Sequence, residues 1–209
     1  MTVVTGPACC GQPAWNAGHV REAARVAKAA RMKIPEGEGP IVVCSGSCVS
    51  MIEEYWSELF ASQDLGDATA QVVRRVQEFS SFVAGATSGT DRIGAIRPRS
   101  ISYHDSCHML RLLGIKSEVR DLLSKIDGLD LHELSAPEQC CGFGGSFALR
   151  YPELSGAMAD EKVNDFAGTS AQQLVAADLG CLMQICGRAA TRTTLSGIHI
   201  AQLLDEAMG

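Results

Sequence analysis

A doubled cysteine followed by glycine occurs twice in this chain, at Cys9-Cys10-Gly11 and at Cys140-Cys141-Gly142. Each pair precedes another cysteine at nearly the same distance: Cys48 follows the first pair by 38 positions and Cys181 follows the second by 40. The apolar positions after these two distal cysteines also agree. A pattern this unusual, repeated with a matched third thiol, indicates an internal repeat in which the repeated element is a thiolate site.

Size and charge exclude several classes of protein. The 209 residues can form one sizeable core or two modules of about 100 residues each. The net charge of −6 argues against a nucleic-acid partner, since phosphate binding needs a basic surface. No apolar run approaches the roughly 18 residues of a transmembrane segment, and the N-terminus lacks a secretion-signal pattern. We therefore expect a cytoplasmic protein without a transmembrane segment.

The nine cysteines favour an iron–sulfur protein over two alternatives. A disulfide framework conflicts with a reducing cytosol. Structural zinc is the stronger alternative, but zinc sites usually show paired Cys-x2–4-Cys knuckles. The only similar spacings, Cys44-x3-Cys48 and Cys181-x4-Cys186, each lack a second knuckle. The pattern thus favours iron–sulfur chemistry, and a zinc-stabilised scaffold remains the structural alternative.

The second half predicts a parallel sheet whose carboxyl edge collects thiols. The predicted elements are a strand at 100–104, a helix at 117–127 ended by Gly128, a strand at 129–134, a helix at 152–166 and a strand at 173–177. This order implies right-handed crossovers, which bring the carboxyl ends of all strands to one edge. We therefore expect the second site, defined as Cys107, Cys140, Cys141 and Cys181, to converge there.

The first half predicts a shorter version of the same module. Its predicted elements are a helix at 17–32, a strand at 40–44 and helices at 49–61 and 67–84. Compared with the second half it lacks a first strand, a first helix and one cysteine, so the first module is expected to be incomplete at its N-terminus. The predicted fold class is α/β, with two pseudo-repeated parallel-sheet modules of βαβαβ type. The predicted division is 1–88 for the first module, 89–99 for a linker and 100–209 for the second module.

The other cysteines and the nearby histidines receive plainer interpretations. Cys44 and Cys186 are interpreted as small buried hydrophobic residues outside the thiolate sites. His104 and His108 flank Cys107 and are interpreted as hydrogen-bonded core histidines rather than metal ligands. The glycines of CCGFGGSF fit no phosphate-loop pattern; instead they let the backbone turn so that adjacent thiols can face one cluster.

Together, CCGQPAWNAGH, YHDSCHMLRLLGI, CCGFGGSFALR and DLGCLMQICGR resemble the CCG (cysteine-rich) domain family, and within it the iron–sulfur subunits of bacterial lactate utilization complexes. The resemblance extends over essentially the whole chain. It implies 4Fe–4S clusters held by Cys9, Cys10 and Cys48 (the first site) and by the second site. It also implies partner subunits that together oxidise L-lactate to pyruvate, and a possible membrane-associated electron acceptor. Members of the family start about 35 residues earlier, with a further cysteine.

On this basis we expect an oxidoreductase subunit that transfers electrons, rather than a self-sufficient enzyme. We also expect one stable cluster, at the second site. Two alternatives stay open: a thiol/disulfide redox subunit similar to heterodisulfide reductase, and an iron–sulfur subunit for another 2-hydroxy acid such as glycolate. The first class carries Cys-x-x-Cys after the second pair, and Cys186 is two positions too far away. The second usually carries a ferredoxin-like Cys-x-x-Cys-x-x-Cys segment that this sequence lacks.

Overall fold

The first half of the chain forms a small parallel sheet covered by helices. The computed structural model describes residues 3–4, 9–61 and 66–209. The first-half elements are α1 Gln12–Asn16, α2 Val20–Arg31, β1 Ile41–Val43, α3 Gly46–Leu59, α4 Gly66–Arg75, β2 Val76–Glu78 and α5 Phe79–Ala86. β1 and β2 pair in parallel, with Ile41 opposite Val76 and Val43 opposite Glu78. The strand predicted at 40–44 is therefore present and has a parallel neighbour.

The single helix predicted over 67–84 is wrong, because strand β2 interrupts it at Val76–Glu78. The apolar residues at helical spacing serve two different cores. Val72 packs in the first-half core, whereas Phe79 and Val83 pack against the core of the second-half sheet. The apolar spacing therefore belongs to two separate helices, α4 and α5. The residues between them form a strand because they pair with the distant β1.

The second half forms a larger parallel sheet. Its elements are β3 Gly94–Tyr103, α6 Cys107–Arg111, α7 Ser117–Ser124, β4 Ile126–Leu131, α8 Ser146–Arg150, α9 Pro152–Ala167, β5 Gln173–Ala176, α10 Leu179–Ala189, β6 Ser196–His199 and α11 Ile200–Met208. The strand order is β4-β3-β5-β6, and all neighbouring strands are parallel. The predicted α/β class with parallel sheets is thus confirmed.

Several boundaries in this half differ from the sequence prediction. Strand β3 begins at Gly94, six residues before the predicted strand, and α7 ends at Ser124. Gly128 does not end a helix but lies inside β4 with a φ of 86°. A Cβ at this glycine would lie 2.4 Å from the carbonyl oxygen of Ile96 on the neighbouring strand. Gly128 therefore allows β4 to lie close to β3. A glycine that ends a helix looks the same in the sequence, which is why the sequence alone does not distinguish the two roles.

The core of the second half positions the thiol-bearing loops. Strands β3 and β5 are central, and Tyr103, Val175 and Ala176 at their carboxyl ends are fully buried. Apolar side chains from α7 and α11 pack against this sheet on one side, and those from α9 and α10 pack near Leu174. Within the described residues, no helix combines the length and apolar character that crossing a membrane would require.

Candidate functional site

The four cysteines of the second site follow the carboxyl ends of neighbouring strands. Cys107 begins α6 just after β3, and Cys181 is the third residue of α10, just after β5. Cys140 and Cys141 lie in the loop between β4 and α8. Because the strands are parallel, their carboxyl ends share one edge of the sheet, where α/β folds usually bind ligands.

At this edge the second-site thiols contact one another. The Sγ atoms of Cys141 and Cys181 are 3.2 Å apart. Cys140 accepts hydrogen bonds from both Cys107 and Cys141, so it joins the remaining thiols to this pair. A ring nitrogen of His104 and the sulfurs of Cys141 and Cys181 all lie within 4.8 Å of one another. Residues far apart in sequence thus form one group of soft donor atoms.

Hydrogen bonds divide these thiols into two kinds. Those from Cys107 and Cys141 lower the pKa of Cys140 to about 2. The hydrogen bond from Cys141, assisted by the nearby His104, lowers the pKa of Cys181 to about 6. The pKa values of Cys107 and Cys141 are raised, first because both donate to Cys140 and then because of burial and the other thiols. Cys140 and Cys181 are therefore the more acidic thiols of this site.

The first site repeats this arrangement with three cysteines. A hydrogen bond from Cys10 lowers the pKa of Cys9 to about 6 and that of Cys48 to about 7. The pKa of Cys10 is raised, chiefly because its one S–H proton is shared between Cys48 and Cys9. Cys48 is the third residue of α3, as Cys181 is the third residue of α10. In both sites the second cysteine of the pair lies between two other thiols and has a raised pKa.

The glycine after each pair has the same structural role. Gly11 has a φ of 94° and Gly142 a φ of 81°, in the left-handed region that disfavours side chains. A Cβ at Gly11 would lie 2.8 Å from the carbonyl oxygen of Ala23, and one at Gly142 would lie 2.7 Å from that of Ser155. Each cysteine pair therefore packs directly on the backbone of a helix that follows it.

Helix α9 holds the second pair in place through a buried serine. Ser155, only 2% exposed, donates its hydroxyl to the Gly142 carbonyl oxygen at 2.8 Å. The Gln184 side chain of α10 donates to the Ser155 hydroxyl at 2.7 Å. The loop with Cys140 and Cys141 is thereby tied to the helix that carries Cys181.

The two cysteines excluded by sequence lie outside these thiol groups. Cys44 is exposed after β1, so its interpretation as a small buried hydrophobic residue is wrong. Partial burial of its sulfur, together with the charge of Glu78, raises its pKa. Burial raises the pKa of Cys186, whose sulfur packs against the backbone of Gly197. Neither residue shares a hydrogen bond with a first-site or second-site thiol among the contacts found in the described residues.

His104 differs from its sequence interpretation as a hydrogen-bonded core residue. The side chain is completely buried, and neither ring nitrogen has a hydrogen-bond partner of ordinary geometry within the described part of the chain; its interaction with Cys181, which lowers the pKa of that thiol, is a weak hydrogen bond. Leaving buried polar atoms unpaired costs about 1–3 kcal/mol each. An unpaired imidazole beside two thiols fits a bound group that offers a sulfur or a metal, and its place at the end of β3 was the sequence signal.

Positive charge also lies beside the second site. Lys162 of α9 is 1% exposed, donates to the carbonyl oxygen of Ala136 and lies 3.8 Å from Asp165. Desolvation lowers its pKa, and the charges of Asp165, Asp105 and Cys141 oppose that shift. A buried ammonium group near Cys141 compensates negative charge, which is what an anionic cluster held by four thiolates requires.

Comparison with known proteins gives a consistent result. The family profile described as CCG, cysteine-rich domain, matches residues 2–53 and 101–186. Lactate utilization protein A 2 of Bacillus cereus is 37% identical over 97% of this chain and 84% of its own length. Lactate utilization protein A 1 of Bacillus anthracis is 38% identical over the same shares. Lactate utilization protein A of Oceanobacillus iheyensis is 36% identical over 94% of this chain and 80% of its own length.

Proposed function

The chain belongs to the cysteine-rich domain (CCG) family, and from this premise we propose that it is the iron–sulfur electron-transfer subunit of a complex that oxidises L-lactate to pyruvate. The observation that carries the proposal is the convergence of four thiols and an unpaired, buried imidazole at the carboxyl edge of a parallel sheet, among the residues that the structure describes. The names of the relatives supply the substrate.

Cys107, Cys140, Cys141 and Cys181 would hold a 4Fe–4S cluster, which when bound supplies one-electron transfer. Cys140 and Cys181 have lowered pKa values, so they lose their protons more readily than the other two thiols. Cys107 and Cys141 release their protons when metal binds, so binding is coupled to proton release. Cys181 lies in the first turn of α10, where the helix dipole stabilises negative charge on its sulfur.

The first site would be the weaker of the two. Cys9, Cys10 and Cys48 provide three thiols, and Cys9 is exposed to solvent. Cys44 is four residues before Cys48 but, within the described part of the chain, does not join the hydrogen bonds that link the other three. We propose that the chain holds one stable cluster, at the second site.

The chain would act with partner subunits in the cytoplasm. Oxidation of L-lactate to pyruvate releases two electrons and two protons, and removal of hydride is typical of a flavin or nicotinamide cofactor. We assign that step to a partner subunit. This chain would then accept the electrons singly and pass them toward an acceptor, for which a membrane-associated carrier is one candidate.

Anaerobic purification with iron and sulfide analysis tests the cluster. Cys181→Ser should lose the second-site cluster, whereas Cys186→Ser, on the same helix, should retain it. Equal loss in both variants, or zinc in place of iron in the wild type, would contradict the assignment.

Lactate-dependent reduction tests the role. L-lactate should reduce the cluster only when the partner subunits are present, as followed by electron paramagnetic resonance. Lactate turnover by the isolated, cluster-loaded chain with an artificial acceptor would show that it is the dehydrogenase itself. Reoxidation of the cluster by a disulfide, without any response to lactate, would indicate a heterodisulfide-reductase-like role.

A further inference from the structure

Asp178 connects the two thiolate sites. It is the residue before α10, which carries Cys181, and it is 3% exposed. An aspartate at this position usually accepts hydrogen bonds from the first N–H groups of its own helix. Here the side chain makes no such bond to α10, all of whose residues are described. Its carboxylate points instead toward residues that precede or begin helices in other parts of the chain.

Among the described residues, three hydroxyl groups and one amide donate to this carboxylate. Oδ1 accepts from Ser45 Oγ at 2.7 Å, from Ser47 Oγ at 2.8 Å and from the Ser47 amide at 3.3 Å. Oδ2 accepts a short hydrogen bond from Ser106 Oγ. The donors are 131–133 positions away on the first-half side and 72 positions away on the second-half side.

The donors are the residues that place the other cysteines. Ser45 precedes α3, and its hydroxyl also accepts from the Cys48 amide at 3.4 Å. Ser106 precedes α6, whose first residue is Cys107. The starts of the helices that carry Cys48, Cys107 and Cys181 therefore meet at one carboxylate.

Hydroxyl groups, rather than a cation, hold this carboxylate. None of the ion pairs found among residues 9–61 and 66–209 involves Asp178. Ser47, which is adjacent to Cys48, donates to this carboxylate, and Asp178 itself lies three residues before Cys181. One buried carboxylate thus lies beside a cysteine of each site.

We infer that Asp178 is a positioning residue shared by both sites, through which the hydroxyl groups of the first half influence the electrochemistry of the second site. The inference rests on the proposed function, because it concerns a cluster bound at Cys107, Cys140, Cys141 and Cys181. Its consequence is that a change beside Cys48 alters the second-site midpoint potential, and that Asp178 is required for this effect.

Two substitutions around this carboxylate should shift the midpoint potential of the second-site cluster in opposite directions. Asp178→Asn removes a negative charge beside the second site, so the midpoint potential of the second-site cluster should rise. Ser47→Ala removes a hydrogen-bond donor and leaves the carboxylate charge less compensated, so the same potential should fall. In the double variant, Ser47→Ala should not change the potential any further, because the Asp178 carboxylate through which Ser47 acts is no longer charged.

The measurement is an anaerobic redox titration of the cluster-loaded chain, followed by electron paramagnetic resonance. Ser50→Ala is the matched control, since this buried hydroxyl on the same helix donates to the Ser47 carbonyl oxygen at 2.9 Å rather than to Asp178. It should leave the potential unchanged. The inference is overturned if Ser47→Ala leaves the potential at its wild-type value, or if its effect persists when it is combined with Asp178→Asn.

A cluster-free measurement separates this inference from the proposed function. If the wild type takes up no cluster, the proposed function fails, but Asp178 can still be tested on the partly exposed thiol of Cys48. Alkylation of Cys48 by iodoacetamide, followed by mass spectrometry, should be faster in Asp178→Asn and slower in Ser106→Ala. An unchanged rate in both variants would show that the carboxylate does not link the sites.

Discussion

At the scale of single residues, the two cysteine pairs divide their roles in the same way. Cys10 and Cys141 are buried, and each lies between two thiols whose pKa values are lowered by hydrogen bonding to it. The repeat therefore preserves hydrogen-bonding roles as well as residue spacing. His104 has no first-site counterpart among the described residues that form the two thiol groups, and it makes the second site distinct.

The His104 imidazole is expected to donate an N–H group to a sulfur of the bound cluster. Hydrogen bonds to cluster sulfurs raise the reduction potential. His104→Leu should therefore lower the second-site midpoint potential while iron content is kept, and His104→Gln should restore part of the loss because its amide can donate. Redox titration measures both.

His132→Gln is the control for this prediction, because His132 lies near the surface beside Asp130. Loss of iron in His104→Leu, with strong nitrogen hyperfine coupling in the wild type, would instead identify His104 as an iron ligand. A wild-type potential in His104→Leu would show that the ring makes no contact with the cluster.

At the scale of elements, each cysteine pair is held in place by the helix on which its glycine packs, α2 for the first pair and α9 for the second. Gly142→Ala would place a Cβ 2.7 Å from the Ser155 carbonyl oxygen at a positive φ. The backbone strain alone costs about 1–2 kcal/mol, and the thiols of Cys140 and Cys141 would be displaced. We expect a lower free energy of unfolding and less bound iron, measured by urea unfolding and iron analysis.

Gly187→Ala in α10 is the matched control. A Cβ there meets no atom within 4 Å among the described residues, and alanine in a helix interior stabilises by about 0.5–1 kcal/mol relative to glycine. If both variants bind iron as the wild type does, the close packing of Gly142 on α9 is not needed for the site.

The junction between β2 and α5 carries a pH-dependent carboxylate. Glu78 is 2% exposed and accepts from the amides of Ser80 and Ser81. Burial, aided by the charge of Asp178 and opposed by the serine hydrogen bonds, raises the pKa of Glu78 from 4.5 to about 7. The folded protein therefore holds this proton more tightly than the unfolded chain, so stability falls as the pH rises from 4.5 to about 7.

Glu78→Gln should remove this loss of folding stability at higher pH. A shift of this size corresponds to at most about 3 kcal/mol, so the stability of the variant relative to the wild type should increase between about pH 5 and pH 8. Urea unfolding of the cluster-free chain at both pH values tests this prediction. Glu36→Gln is the control, because Glu36 is exposed. A stability difference that does not change with pH would mean that Glu78 is already ionised in the folded protein at the lower pH.

At the scale of the whole molecule, the two halves meet through their thiol-bearing helix starts. α3 contacts α6, and Ser45 and Ser47 reach Asp178 across the chain. The sites are therefore neighbours in space although they are distant in sequence. The division into modules 1–88 and 100–209 stays a prediction.

The iron and sulfide content of the cluster-loaded chain tests whether only the second site holds a stable cluster. We expect about four iron and four sulfide per chain, lost in Cys141→Ser and largely kept in Cys10→Ser, its counterpart in the first site. Cys44→Ser should leave the iron content unchanged. About eight iron per chain, with half lost in Cys44→Ser, would show that Cys44 completes a stable first site.

The sequence by itself determined the class of fold and the edge at which the thiols gather. Strand and helix patterns are local, and their order alone implies parallel strands whose carboxyl ends converge. The strand–helix order of the second half, with Cys107 and Cys181 each following a strand, needed no further information. The repeated pairs at Cys9 and Cys140 likewise indicated two related thiolate sites.

Only the tertiary structure decided the features that depend on distant contacts. Residues 76–78 follow a helical apolar pattern, yet they form a strand because β1, about 35 positions earlier, offers its edge. The unpaired state of His104 depends on what surrounds it in three dimensions, within the part of the chain that the structure describes. The bonds from Ser45 and Ser47 to Asp178 span 133 and 131 positions. No local pattern encodes such contacts, because chain separation does not limit which side chains meet in the folded core.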